Sequence, residues 1–230
     1  MVTYLDADLY FFSDVEPIYD ELGSDSVLII PHHFAPAMRH KEIYGRYNVD
    51  WLCFRADVHG RACLEWWRDR ANEWCRDTPD EVEGRFCKQR YLDYFSGRFA
   101  GVHVLAHRGA NLAPWNIGNV NLSLHGNVVL ANDARLIFFH FHGIKQVGPR
   151  RFFTVHRGYA APMTALIRDN IYRPYLRELM VIERDVAPLM PASAAVLRHA
   201  ALPDDVRFLS RLKLRVSLLR DWLGGYVISA

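Results

Sequence analysis

What this chain lacks narrows its reading first. Its 230 residues include only four cysteines, Cys53, Cys63, Cys75 and Cys87, and no two of them form a Cys-x-x-Cys pair. That spacing excludes a zinc ribbon and a thioredoxin-type motif, and it reads as buried, reduced thiols in a cytoplasmic protein. No apolar run approaches the roughly eighteen residues of a membrane span. The first residues show no basic segment leading into an apolar core, the pattern of a secretory leader. There is no internal repeat and no low-complexity tract. A net charge of +2 points to no particular partner and weighs against nucleic acid as the main one.

What the chain does have is apolar mass. Half of it is hydrophobic and 13% aromatic, enough for one large core or a core with a helical appendage. Residues 2–5, 27–30 and 49–54 read as strands, the second stopped by Pro31. Leu64, Trp67, Ala71, Trp74 and Cys75 fall at helical spacing within 60–76, and a shorter helix is expected over 86–95. Strands are expected at 102–105, 128–130 and 136–141. Beyond Pro149 the pattern turns helical, over 164–186 and 204–223. The expected division is therefore an α/β domain over 1–150 and a helical extension over 151–230. The last helix carries an apolar stripe from Val206 to Leu223 beside Arg207, Arg211, Lys213, Arg215 and Arg220. Packing on the domain is the first reading of that helix, and peripheral contact with an anionic membrane face is the alternative.

The most informative stretch is Tyr4-Leu5-Asp6-Ala7-Asp8. A β-branched, apolar strand ends there in two carboxylates one residue apart. If the strand continues, alternation puts both on one face. Paired carboxylates repel unless a cation lies between them, and hard divalent metals favour oxygen ligands. Open α/β sheets bind ligands outside the carboxyl ends of their strands, so a nucleotide fits there too. Near residue 140, Phe138-Phe139-His140-Phe141-His142-Gly143-Ile144-Lys145 ends a late strand in an imidazole. Two carboxylates and one imidazole form a donor set suited to manganese. His142 shares the face of His140 on a regular strand, and a His-x-His zinc site is the weaker alternative.

Taken in order, these segments resemble the GT-A-fold nucleotide-sugar glycosyltransferases, closest to the glycogenin-like retaining (family 8-like) group and its bacterial relatives. The resemblance covers roughly residues 2–180. It implies an α/β, GT-A-like mixed sheet flanked by helices, with a C-terminal helical segment. It also implies metal ligands at Asp6, Asp8 and His140, with Mn2+ or Mg2+ as the cofactor. Lys145 is then the diphosphate contact, although it comes one residue earlier than in glycogenin-like members. Asn48, in Tyr47-Asn48-Val49-Asp50, matches a donor-sugar contact, and Asp50 stands where the family has glycine. Gln89 matches the glutamine beside the anomeric carbon, while Lys88 replaces the aspartate before it, which binds donor-sugar hydroxyls, so Lys88 counts among the substrate contacts the resemblance implies. Trp115 and Asn116 match a Pro-Trp-Asn loop that offers a sugar platform and an amide. His32 and His33 read equally as acceptor contacts or as a surface turn.

The activity implied is transfer of a sugar from a nucleotide-sugar donor to the hydroxyl of a glycan or lipid-linked acceptor, with retention, in bacterial cell-surface polysaccharide or lipopolysaccharide synthesis. In that family a nucleotide-binding half precedes the Asp-x-Asp strand, and here only Met1 does. The expectation is an N-terminally truncated chain, with the strand at 2–5 inside a parallel sheet and short of neighbours on one flank. Lys88 and Asp50 support a rival, a non-catalytic remnant or binding module of the same fold. A metal-dependent hydrolase using Asp6, Asp8, His140 and His142 is the third reading.

Overall fold

The computed structural model describes residues 1–189, 220–221 and 224–230. The expected helix over 204–223 lies almost entirely outside the described residues. The chain divides into two compact units, Met1–Phe141 and His142–Ala230.

In the first unit, β1 (Val2–Leu5), β3 (Val27–Pro31), β4 (Tyr47–Phe54) and β5 (Val102–Val104) form one mixed sheet in the order β1-β4-β3-β5. β4 runs antiparallel to both of its neighbours, and β3 is parallel to β5. It follows that β1, β3 and β5 share one direction and end on one edge. The expected parallel pairing of the 2–5 strand is corrected here. β1 pairs antiparallel with β4 and lies at an edge of the sheet among the described residues. β4 is the strand buried from both sides, from Asn48 to Phe54.

Alternation along β3 and the carboxyl half of β4 explains the layering. Leu28, Ile30, Trp51 and Cys53 face a core that includes Ile18 and Leu22 of α1 (Glu16–Leu22). Val27, Ile29, Leu52 and Phe54 face a second core with Cys63 and Trp67 of α2 (Val58–Glu73). Each fully buried aliphatic side chain contributes about 1.5–3 kcal/mol, so the sheet is held from both faces. α2 starts where the sequence permits. Asp57 caps it by accepting from the Gly60 amide at 2.8 Å. A Cβ at Gly60 would lie 2.2 Å from the Arg55 carbonyl oxygen, so only glycine fits. The result is a mixed α/β unit with helices on both faces of its sheet.

Two smaller sheets complete the unit. β2 (Leu9–Phe11) pairs antiparallel with β9 (Phe138–His140), and β6 (Leu122–His125), β7 (Val128–Ala131) and β8 (Ala134–Arg135) form a meander. The segment expected to be helical over 86–95 is shorter, a 3-10 turn at Arg90–Tyr94 running into α3 (Phe95–Arg98).

The cysteine expectation holds for half of the set. Cys53 and Cys63 are buried, but Cys75 is exposed and Cys87 partly so, and their Sγ atoms lie 3.4 Å apart. The irregular turn between them causes this. Asp80 and Arg85 exchange backbone hydrogen bonds at 2.8 and 2.9 Å and fold its ends together, which spacing along the sequence cannot reveal.

The second unit contains β10 (Lys145–Gly148), β11 (Arg151–Phe153) and β12 (Val227–Ser229) in one antiparallel sheet. Its helical run, expected over 164–186, is α4 (Ala165–Ile167), a π-helical turn at Arg168–Tyr172, and α5 (Arg173–Val186). Thr164 caps it by accepting from the Ile167 amide at 3.2 Å. No helix among the described residues is long and apolar enough to cross a membrane.

Candidate metal and nucleotide site

β1 stops at Leu5. The Asp6 amide extends the ladder by one bond, to the Asp50 carbonyl at 3.0 Å, and Ala7 and Asp8 then turn. Alternation along a continuing strand is therefore not what places Asp8. The β2–β9 pairing does so: Leu9 opposes His140, and the Phe141 amide donates to the Asp8 carbonyl at 2.8 Å. This brings Asp8 Oδ1 to 3.0 Å from His140 Nε2. His142 follows in the same segment, and one ligand atom each of Asp8, His140 and His142 lies within 4.8 Å of the others.

His140 is buried and gripped on several sides. Its amide donates to the Leu112 carbonyl at 2.7 Å. Trp115 meets its ring edge to face, with centroids 5.0 Å apart. The loop carrying both residues can lie this close because Gly109 passes Arg135 so tightly that a Cβ would be 1.8 Å from the Arg135 carbonyl oxygen.

Behind the ring stands Asp50, which is fully buried. β3 passes from Leu28 to Ile30 while β4 passes from Cys53 to Asn48, so β4 bulges there and Asp50 lies in the bulge. Asp50 Oδ2 is 3.4 Å from His140 Nδ1, an ion-pair contact, and neither carboxylate oxygen makes a hydrogen bond of good geometry. Asn48 Nδ2 also lies 3.4 Å from Nδ1 and 3.3 Å from Asn111 Oδ1. Of these neighbours only the carboxylate can take a proton from Nδ1, which makes Asp50 the natural acceptor.

The charges follow. Burial opposes a charged imidazole, but Asp50 and Asp8 outweigh it and raise His140 to about 9. Burial pushes the Asp50 carboxyl up, partly offset by His140. A histidine that donates Nδ1–H to a carboxylate presents Nε2 in the orientation metal ligation needs.

Asp6 has different company. Its Oδ1 accepts from the Tyr4 hydroxyl at 2.8 Å and lies 3.7 Å from Lys88 Nζ. Lys88 also donates to the Tyr4 hydroxyl, and its ammonium sits 4.5 Å from the Tyr4 ring centroid. Desolvation works against the Lys88 ammonium, yet Tyr4 and Asp6 raise its pKa. Lys88 is thus the charge partner of Asp6.

The remaining sequence candidates are placed as follows. Gln89 donates to the Tyr44 carbonyl at 2.9 Å. Asn116 gives its amide hydrogens to the His32 and Asn111 carbonyls at 2.9 and 2.8 Å and accepts from the Ala113 amide, so it staples its own loop. His32 is buried and stacks on Phe34, whereas His33 is exposed with φ 50°. Lys145 belongs to the second unit, where it opens β10 as an exposed residue opposite Phe153. Sequence reasoning missed Tyr4 as a partner of Asp6 and Asp50 as a partner of His140. A carboxylate inside an otherwise apolar strand was the available signal.

No family model matches the chain, and no solved structure matches it. It is similar to two proteins of Bacillus subtilis (strain 168). One is the uncharacterized protein YfnF, 36% identical over 163 residues, which cover 67% of this chain and 53% of that protein. The other is the uncharacterized protein YfnD, 29% identical over 204 residues, which cover 87% of this chain and 65% of that protein. The chain spans between about half and just under two thirds of the length of these curated relatives.

Proposed function

We propose that this chain carries the catalytic face of a metal-dependent, GT-A-like glycosyltransferase that moves a sugar from a nucleotide-sugar donor to an acceptor hydroxyl. The observation that carries the reading is the Asp8–His140 pair at 3.0 Å, backed by the buried Asp50, at the edge where three like-directed strands end. That edge is where open α/β sheets receive nucleotides.

A carboxylate oxygen beside an imidazole nitrogen suits manganese or magnesium, so Asp8 and His140 would hold the ion, with His142 and Asp6 as further donors. Its chemistry there is to offset the negative charge that develops on a leaving diphosphate. The chain's own residues set the stage. Asp50 fixes the His140 ring, Trp115 closes its flank against water, and Lys88 holds Asp6 in place. Retention of configuration, a cell-surface glycan or lipid-linked acceptor, and a cytoplasmic or membrane-peripheral location belong to the same proposal.

One observation favours a second reading. Lys88 already neutralises Asp6, and a cation there competes with a metal, as expected of a non-catalytic binding module. Calorimetry separates the two. Manganese should strengthen nucleoside-diphosphate binding at least tenfold, and Asp8→Ala should remove the gain. Equal affinity with and without manganese overturns the transferase reading.

A further inference from the structure

A cavity of about 550 Å³ opens at the carboxyl edge of the main sheet, wholly within the first unit. Pro31 at the end of β3, Val104 at the end of β5 and Tyr47 at the start of β4 mark its place in the fold. Arg39, Arg46 and Arg108 all line it, against a single carboxylate, Glu42. Arg46 is engaged elsewhere: its amide donates to Asp93 Oδ1 at 2.9 Å and its guanidinium lies 3.8 Å from Oδ2. Arg39 and Arg108 make no salt bridge among the described residues. The His33 imidazole on the same wall is held below its ordinary pKa, first by desolvation and then by the charge of Arg108.

Guanidiniums left uncompensated around a concavity focus positive potential into it. Each offers a planar fork that matches a carboxylate or phosphate with two parallel hydrogen bonds. The volume falls in the range of small-ligand sites and holds a sugar carrying such a group. The cavity also adjoins the candidate metal site through one loop. Leu112 lines it, and the Leu112 carbonyl is the acceptor for the His140 amide.

We propose that this cavity receives the acidic group of a saccharide substrate, a carboxylate or a phosphate gripped by Arg39 and Arg108. The saccharide part rests on the transferase reading above. The anion part rests on the arginines alone.

Calorimetry on the full chain without metal tests it with three probes of one skeleton: glucose, glucose 6-phosphate and glucuronate. At least one acid should bind ten times or more tightly than glucose, and the stronger acid identifies phosphate or carboxylate as the group read. Arg39→Gln with Arg108→Gln should weaken that binding at least tenfold, and Glu42→Gln, which removes the opposing charge, should tighten it severalfold. Acids that bind no better than glucose overturn the proposal, as do acids that bind the double variant unchanged. If the double variant fails to fold, a Glu42→Gln protein that binds the acids no more tightly overturns it instead. Asp8→Ala should leave acid binding intact. Acid binding without any manganese effect on nucleoside diphosphate sinks the transferase reading and the saccharide part with it but leaves the anion site, and the reverse result sinks the cavity proposal alone.

Discussion

Among the described residues each unit buries a histidine beside tyrosine, carbonyl or carboxylate partners, and two of them, His140 and His156, are handled in opposite ways. His140 in the first unit lies between two carboxylates, and its pKa rises to about 9. His156 in the second unit accepts or donates only to neutral groups, the Pro162 carbonyl at 2.9 Å and the Tyr172 hydroxyl at 2.8 Å, and desolvation drives its pKa down to about 4. Burial is similar, so the partners decide. A neutral imidazole in a polar but uncharged pocket is a packing residue. A charged one between carboxylates holds a cation's place with a proton, and that distinguishes a candidate metal site from a core histidine.

The largest test of this contrast removes each ring. His140→Ala strands a fully buried carboxylate, and losing one partner of a buried pair costs about 3–5 kcal/mol. The first unit should lose that much in urea unfolding, and adding Asp50→Asn should recover part of it. His156→Ala leaves only a phenol and a carbonyl to satisfy and should cost about 1–3 kcal/mol. If His156→Ala proves the more damaging, the contrast is broken.

Acidity comes next. The folded pKa of His156 lies below its ordinary value of 6.5, so the stability it confers is complete above 6.5 and is lost as pH falls toward 4. The loss is on the order of 3 kcal/mol. His140 has the opposite sign: its stabilisation is complete below 6.5 and fades as pH rises through about 9. Hydrogen exchange at Tyr172 and at Phe139 across this range should show the two units weakening at opposite ends.

Asp50→Asn sharpens the contrast at the level of binding. Loss of the carboxylate behind a ligand histidine weakens metal affinity roughly 10- to 100-fold. The manganese-dependent gain in nucleoside-diphosphate affinity should fall accordingly, and in the wild type it should grow as pH rises, because proton and metal compete for Nε2. Replacing Tyr172 by Phe should leave that gain unchanged. The smallest effect belongs to Lys88→Ala. Its ion pair with Asp6 is partly exposed, so thermal unfolding should shift by less than about 1 kcal/mol. Turnover across a panel of nucleotide sugars with Lys88→Asp shows whether this residue also reads the donor.

Much of the scaffold was legible because its signals are local. The run Val27-Leu28-Ile29-Ile30 before a proline, and the helical spacing of Leu64 and Trp67, carry their own period, and β3 and α2 appear there. β2 was missed because Leu9-Tyr10-Phe11 is too short to show alternation and exists through its pairing with β9. The site divides in the same way. Asp8 and His140 are chemical types whose role can be suspected in isolation. Asp50 was weighed only against the glycine that the resemblance implies at its position, since nothing local says that a bulge turns its carboxylate under His140. Lys88 was placed among sugar contacts, and only the fold shows it lying over Tyr4 beside Asp6.

The pairing of Leu9 with His140 has a consequence in time. It joins the two ends of the first unit across roughly 130 residues, a closure that costs chain entropy before any contact rewards it. The sheet around β4 joins segments much nearer in sequence, with Leu5 opposite Trp51. On a growing chain, Asp8 emerges early and waits for His140 until almost the whole unit has been made. The meeting of these two side chains is therefore expected late in folding. On the proposed reading, nucleotide and metal would then find a competent surface only on chains that have finished folding.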